Sequence, residues 1–341
     1  MRRTLLLIFA LALVAAGCGG DTEVVRERDV EVPGAATQEQ GPRSENAREP
    51  DGTVRIVVVT HGQASSPFWA IVRNGVEAAA RQMDVVVEYR APDVYSLSRM
   101  RTLIQQAVDS RPDGLVVSLP ETKILPTVRR AARSGIPVVS INSGSDVAGS
   151  LGVLAHVGQP EGRAGRRAGE RLAREGVRNA LCVNNQPGNQ GLDDRCAGLA
   201  AAMREVGGRS RVLGIDDQSP STPGRITAVM RREGIDGLLA LNGTGGVVSA
   251  KTVRSMDGGG DTPVATFDLN PEVLDGVGDG SLRFAIDQQP YLQGYLPVVL
   301  LAQRTRYGLF PAQGDVIATG PNFVTRGNAE RALQLSRQSI R

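Results

Sequence analysis

Arg55-Ile56-Val57-Val58-Val59-Thr60 opens the regular part of this chain. An apolar, β-branched run of this length reads as a buried strand. Ser66-Pro67 follows it and reads as an N-cap and first helical residue, predicting a helix to about Met83. The same alternation then repeats. Val85-Val86-Val87 is a strand, and Ser96 to Ser110 is a helix with Leu97, Met100, Leu103, Ile104, Ala107 and Val108 on one stripe. Strand Gly114–Val117, helix Ile124–Ser134 and strand Ile136–Ile141 complete the first half. Strands this apolar, separated by helices, imply a parallel sheet covered on both faces.

The second half continues from Gly158. Helices are expected at about 161–175, 192–206, 224–232, 246–255 and 290–306, with a short one after Pro271. Strands are expected at 180–184, 211–216, 237–242, 264–268 and 283–287. That is too many strands for one small sheet, and 341 residues leave room for about two domains. Gly258-Gly259-Gly260 is a loop, because no Lys-Ser or Lys-Thr follows to make it a phosphate cradle.

Upstream of the body the composition changes. Met1-Arg2-Arg3 precedes an apolar run from Leu5 to Ala16, too short for the roughly 20 residues of a membrane span. A charged start, a short apolar stretch and small residues read as an export signal over 1–17. From Gly19 to Gly52 four Arg face nine Asp and Glu, a local sum of −5, with no apolar period. Such a segment cannot bury enough apolar surface to order itself, so 18–52 is expected to be a flexible tether.

Three cysteines is an odd count for an exported chain. Cys182 falls on an expected strand and Cys196 near the start of the next helix. A disulfide between them is expected, with two buried thiols as the alternative. The whole chain has 39 basic and 36 acidic residues, a net charge of +3, and no basic block, which excludes polyanion binding driven by bulk charge. His61 and His156 are the only histidines, so neither a His-based metal centre nor a His general base is expected.

Ligands of open parallel sheets bind beyond the carboxyl ends of the strands. Those positions hold Thr60, His61, Gln63, Ser65, Ser66, Phe68 and Trp69, then Asn142 and Ser143. Later strands contribute Asn184, Asn185, Gln186 and Arg195, then Asn242, Asp268, Asp287, Gln288, Gln289 and Tyr291. Amides and carboxylates pair with hydroxyl groups, and aromatic faces cover the C–H faces of a ring. This chemistry suits a small, uncharged, polyhydroxylated ligand.

With these residues in view, the chain resembles the bacterial periplasmic sugar-binding proteins of the ribose-binding type, which deliver ligand to ABC transporters. The likeness rests on Val58-Val59-Thr60 with Ser66-Pro67-Phe68-Trp69, Ile136–Asn142, Asp194-Arg195-Cys196-Ala197-Gly198, Leu241-Asn242, Thr266-Phe267-Asp268 and Ile286–Pro290, in order across roughly 54–325. It implies a type I periplasmic binding protein: an α/β fold of two Rossmann-like lobes with parallel sheets, helices on both faces and three hinge crossings. The lobes would be 53–158 plus 289–318, and 159–288 plus the tail 319–341. The implied ligand set is Ser66, Phe68, Trp69, Asn142, Arg195, Asn242, Asp268 and Gln288. Asn142-Ser143 stands where the ribose binder has Asp-Arg, and the Thr60–Ser66 loop is two residues longer, so the ligand extends to pentoses, hexoses and cyclic polyols.

Cys18, directly after Ala15-Ala16-Gly17, resembles the lipid-bearing residue of bacterial lipoproteins, with Ala15 where Leu is more usual. The implied protein is a monomer anchored by that lipid to the outer face of the cytoplasmic membrane. Its partners are a small sugar or polyol and an ABC transporter permease, with no cofactor, no metal, no nucleic acid and no catalytic residue. The alternative is a sensor that presents a sugar or autoinducer-type signal to a membrane receptor. A repressor core of this architecture would need a helix-turn-helix where the export signal stands. An enzyme would need a poised acid and base, for which Asp268 and Asp287 are the only candidates.

Overall fold

The structure is a computed structural model and describes residues 52–62, 66–311 and 314–336. The expected signal at 1–17, Cys18 and the tether through residue 51 lie outside the described residues. In chain order the elements are β1 (Arg55–Val59), α1 (Pro67–Met83), β2 (Val86–Arg90), α2 (Leu97–Asp109), β3 (Gly114–Ser118), α3 (Leu125–Arg133), β4 (Val138–Ile141), α4 (Ser145–Ala148) and β5 (Ala155–Gly158). They continue with α5 (Glu161–Arg174), β6 (Asn179–Asn184), α6 (Gln190–Glu205), β7 (Arg209–Gly214), α7 (Thr222–Glu233), β8 (Gly237–Ala240), α8 (Gly243–Arg254), β9 (Val264–Phe267), α9 (Pro271–Asp279) and β10 (Phe284–Asp287). The last are α10 (Pro290–Tyr307), β11 (Asp315–Ala318), β12 (Asn322–Val324) and α11 (Ala329–Ser336).

Two six-stranded sheets result, ordered β11-β5-β4-β3-β1-β2 and β12-β10-β9-β8-β6-β7. Every pairing is parallel except β10 with β12. The chain passes from one sheet to the other three times: between β5 and α5, between β10 and α10, and between β11 and β12. The α/β architecture expected from the alternating pattern is therefore present as two lobes.

Strand alternation builds each lobe in three layers. On β1, Ile56 and Val58 pack with Val72 and Val76 of α1 and with Val298 and Leu301 of α10. Val57 and Val59 face Met100 and Ile104 of α2 and Val128 of α3. The second lobe repeats this. Leu181 and Val183 of β6 join Ile226 of α7 and Val247 of α8, while Ala180 and Cys182 join Ala164 of α5 and Leu199 of α6. The Cys182 side chain thus points at α6, where it forms a disulfide with Cys196.

Among the expected strands, the two at the sheet edges are displaced most. The strands expected at 85–87 and 211–216 run over Val86–Arg90 and Arg209–Gly214. Both are edge strands with largely exposed or half-buried residues, so an apolar run does not mark their bounds. The short elements β5, β11, β12, α4 and α11 carried no recognised signal. Ser66 occupies the N-cap position, but its hydroxyl makes no capping bond, so Pro67 sets the start of α1 by its fixed φ. Gly258–Gly260 is a loop whose end tightens into a 3-10 turn over Gly259–Asp261.

One helix pair in each lobe crosses on glycine. A Cβ at Gly294 of α10 would lie 2.0 Å from the Val72 carbonyl oxygen of α1. A Cβ at Gly165 of α5 would lie 2.0 Å from the Arg195 carbonyl oxygen of α6, and one at Gly198 of α6 would lie 2.1 Å from that of Gly162. Backbone atoms cannot give way at that distance. Gly165→Ala is expected to lower the thermal unfolding midpoint by on the order of 5 °C, read by circular dichroism. An unchanged midpoint would show that the crossing relaxes freely.

Candidate functional site

The carboxyl ends of both sheets face a common cleft of about 750 Å³. All eight residues named from the sequence line it: Ser66, Phe68, Trp69, Asn142, Arg195, Asn242, Asp268 and Gln288. His61, Ser143, Asn185, Gln186 and Asp287 line it as well. Tyr291 does not; its ring stacks on Tyr295 at 5.8 Å.

The first lobe supplies an aromatic wall. Trp69 meets Phe68 edge to face at 5.1 Å and His61 at 4.8 Å, and Tyr95 lies 6.1 Å from His61. The His61 backbone N–H donates to Ser118 Oγ at 3.0 Å, and the Ser118 hydroxyl reaches Nδ1 at 2.8 Å. Burial pushes the His61 imidazole down to about 3, so the ring is neutral at any physiological pH.

Asn142 follows β4 in the left-handed region, with φ 69°. Its carbonyl accepts from His156 Nε2 at 3.1 Å, while His156 Nδ1 meets Ser140 Oγ at 3.0 Å. Burial holds His156 down at about 4. The Asn142 amide donates to Gln293 Oε1 at 3.1 Å and reaches Gln288 Oε1 at 3.5 Å. Gln293 Nε2 in turn bonds Gln288 Oε1 at 3.0 Å and Thr319 Oγ1 at 3.2 Å. These amides tie the end of β4 to two of the three crossings.

The second lobe supplies the charged groups. Asp268 follows β9, also left-handed with φ 65°, and accepts from Gln288 Nε2 at 2.6 Å. Asn242 caps α8 by accepting from the Gly245 N–H at 2.8 Å, and its amide donates to Asp217 Oδ2 at 2.7 Å. Asn270, not Asp268, caps α9. Arg195 is fully committed on one side: Nε and Nη2 donate to Glu161 at 2.6 and 2.9 Å, and Nη1 donates to the Leu241 carbonyl at 3.0 Å. Away from the crossings, two hydrogen bonds among the described residues bridge the lobes directly: Ser143 Oγ to Asn189 Oδ1 at 3.1 Å, and the Gln190 N–H to the Pro120 carbonyl at 2.8 Å.

Sequence reasoning missed Glu161, Asn189, Tyr95 and Asp217. Each had a signal. An Arg taken as a buried ligand contact requires a carboxylate partner. Tyr95 is one of only five tyrosines, and Asp217 lies just past the carboxyl end of β7.

A two-lobed parallel α/β fold with polar groups converging in the cleft defines a solute-binding protein. Residues 56–307 match the periplasmic binding protein domain, and the chain belongs to that family. Its members bind and transport solutes and are not enzymes. The xylose/arabinose-binding protein XylF of Sulfolobus acidocaldarius is 26% identical over 309 residues, covering 84% of this chain and 74% of that protein. A carbohydrate transporter of Acidothermus cellulolyticus 11B, solved in complex with myo-inositol, is 32% identical with a TM-score of 0.78, covering 85% of this chain and all 100% of the other. A solute-binding protein of Burkholderia graminis C4D1M in complex with D-arabinose shares the fold at 24% identity and a TM-score of 0.72, over 82% of this chain and 98% of that one. Among the described residues no helix is long and apolar enough to cross a membrane; the family is an exported one.

Burial pushes the Asp268 carboxyl from its ordinary 3.8 up to about 6, against the pull of the Arg195 charge and the Gln288 amide. A ligand hydroxyl donating to Asp268 requires the carboxylate. Affinity for a neutral polyol is therefore expected to fall as pH drops through about 6, measured by calorimetry, and Asp268→Asn to remove that step. Neither histidine titrates there. The linkage for folding has the opposite sign. The folded state holds this proton more tightly than the unfolded chain, so the ligand-free protein gains stability from Asp268 as pH falls from about 6 toward 3.8.

Proposed function

We propose that this protein captures a small, neutral, polyhydroxylated ligand, a sugar or cyclic polyol, and delivers it to an ABC transporter permease. The observation that carries the reading is the convergence of Phe68, Trp69, Asn142, Arg195, Asn242, Asp268 and Gln288 on one cleft. Its volume of about 750 Å³ lies within the roughly 300–1,000 Å³ usual for small-molecule sites. The relative solved with myo-inositol and the one named for xylose and arabinose support the same ligand class.

In this reading the ring's C–H face lies against Trp69 and Phe68, where dispersion and the ring quadrupole favour it. Its hydroxyls replace water on the amides of Asn142, Asn242 and Gln288, on the Asp268 carboxylate and on the remaining Arg195 N–H groups. The lobes close about the three crossings, and the closed form docks on the permease. Ser143–Asn189 and Gln190–Pro120 are contacts that closure makes and opening breaks. Cys18 carries the lipid that keeps the protein at the outer face of the cytoplasmic membrane.

Trp69 is the only tryptophan, so intrinsic fluorescence reports on the cleft itself. Titration with myo-inositol, L-arabinose and D-xylose is expected to give a saturable change with at least one of them. At a hundredfold excess over its dissociation constant that ligand is expected to add about 2.7 kcal/mol to the folded state in a thermal melt. No response to any neutral polyol would overturn the reading. Separately, Cys18→Ser is expected to move the protein from the membrane to the soluble fraction of its native host, and retention at the membrane would remove the lipid from the account.

A further inference from the structure

Arg195 is the only Lys or Arg among the described residues lining the cleft, and Asp216, Asp217, Asp268 and Asp287 line it too. A guanidinium facing a ligand site ordinarily invites anions, because its fork matches carboxylate and phosphate. Here the fork is already taken. Both Glu161 oxygens hold it, at 2.6 and 2.9 Å, and each of the two residues is only 2% exposed.

The surroundings pin this pair in place. Gln159 Nε2 donates to Glu161 Oε2 at 2.8 Å. Glu161 sits in the first turn of α5, where the helix dipole favours a negative group. The guanidinium lies over the Phe267 ring at 4.1 Å. The glycine crossing of α5 on α6 passes through the Arg195 backbone itself, since a Cβ on Gly165 would strike its carbonyl. Three of the five N–H groups of Arg195 are used by Glu161 and Leu241, which leaves two for a ligand.

We propose that Glu161 is a positioning residue of the ligand site: it aims the Arg195 fork and cancels its charge, so that the cleft accepts neutral polyols and rejects those bearing a carboxylate or phosphate. The inference rests on the polyol reading above. An anionic ligand entering this cleft meets an arginine already neutralised and a wall of four carboxylates. A neutral ligand meets two oriented N–H donors without having to displace a counter-ion. Without Glu161, Arg195 would be a buried cation lacking its partner, and an anionic ligand group would supply the missing charge.

The test compares the full chain with its Glu161→Gln variant by calorimetry. The probes are the neutral polyol that the unaltered protein binds, D-glucuronate and D-galacturonate. The unaltered protein is expected to bind the neutral ligand and neither uronate. Glu161→Gln is expected to bind the neutral ligand roughly tenfold or more weakly and to acquire uronate binding that fades with added NaCl. A purely structural role for Glu161 would weaken all ligands alike and would not create affinity for a uronate.

Unchanged discrimination in Glu161→Gln overturns the proposal, as does tight uronate binding by the unaltered protein. If a thermal melt shows Glu161→Gln unfolded, Glu161→Asp answers instead. It keeps the charge but withdraws it by one methylene, so weaker neutral binding with uronates still refused supports the proposal, and unchanged affinity overturns it. Failure of the unaltered protein to bind any neutral polyol sinks the functional reading and this inference together. Binding that ignores position 161 sinks the inference alone.

Discussion

A buried ion pair, Arg195 with Glu161, is the constraint around which the second lobe is organised. Removing two charges from water costs several kcal/mol for each ion, and the mutual attraction offsets this only when geometry is good and the other hydrogen-bonding groups find partners. The lobe meets those terms from four sides. α5 brings the carboxylate, α6 brings the guanidinium, the residue after β8 lends its carbonyl, and Phe267 at the end of β9 provides a flat face. That convergence is possible only because α5 and α6 touch through glycine. The disulfide from Cys182 to Cys196 holds the same helix to the sheet one residue further along.

The first lobe contributes a different kind of order. Its site side chains are neutral, and they are fixed by hydrogen bonds to amides and hydroxyls and by aromatic packing, with Tyr95 donating to the Glu121 side chain. Asn142 is the link. Its backbone adopts a left-handed conformation that asparagine tolerates better than most residues. Its carbonyl is held by His156 and its side chain reaches Gln293 and Gln288. Because Gln288 also binds Asp268, one chain of amides runs from the first lobe through a crossing into the second. The Asn142-Ser143 pair thus keeps a connection between the lobes without bringing a charge into the first.

Much of this was legible before the fold was known. The central strands are marked by runs such as Ile56–Val59 and Leu238–Leu241, because a strand buried on both faces must be apolar throughout. The site was legible for a related reason, since polar residues directly after such runs lie at the sheet's carboxyl edge. What escaped were the edges and the partners. β11 and β12 are short, lie at sheet edges and are partly exposed, so no hydrophobic pattern distinguishes them from loop. Glu161 and Asn189 have no apolar pattern of their own and matter only through what they touch 34 and 46 residues away.

The sequence by itself determined the alternation of strands and helices, and which polar residues would stand at the strand ends. Both are local properties, read from hydrophobic period and position in the chain. Tertiary structure alone decided that Asp268 would be pushed up to about 6, that His61 would be neutral and that Arg195 would face the cleft already paired. Those outcomes depend on burial and on distances between charges, and neither exists until the two sheets and their helices have closed around one another.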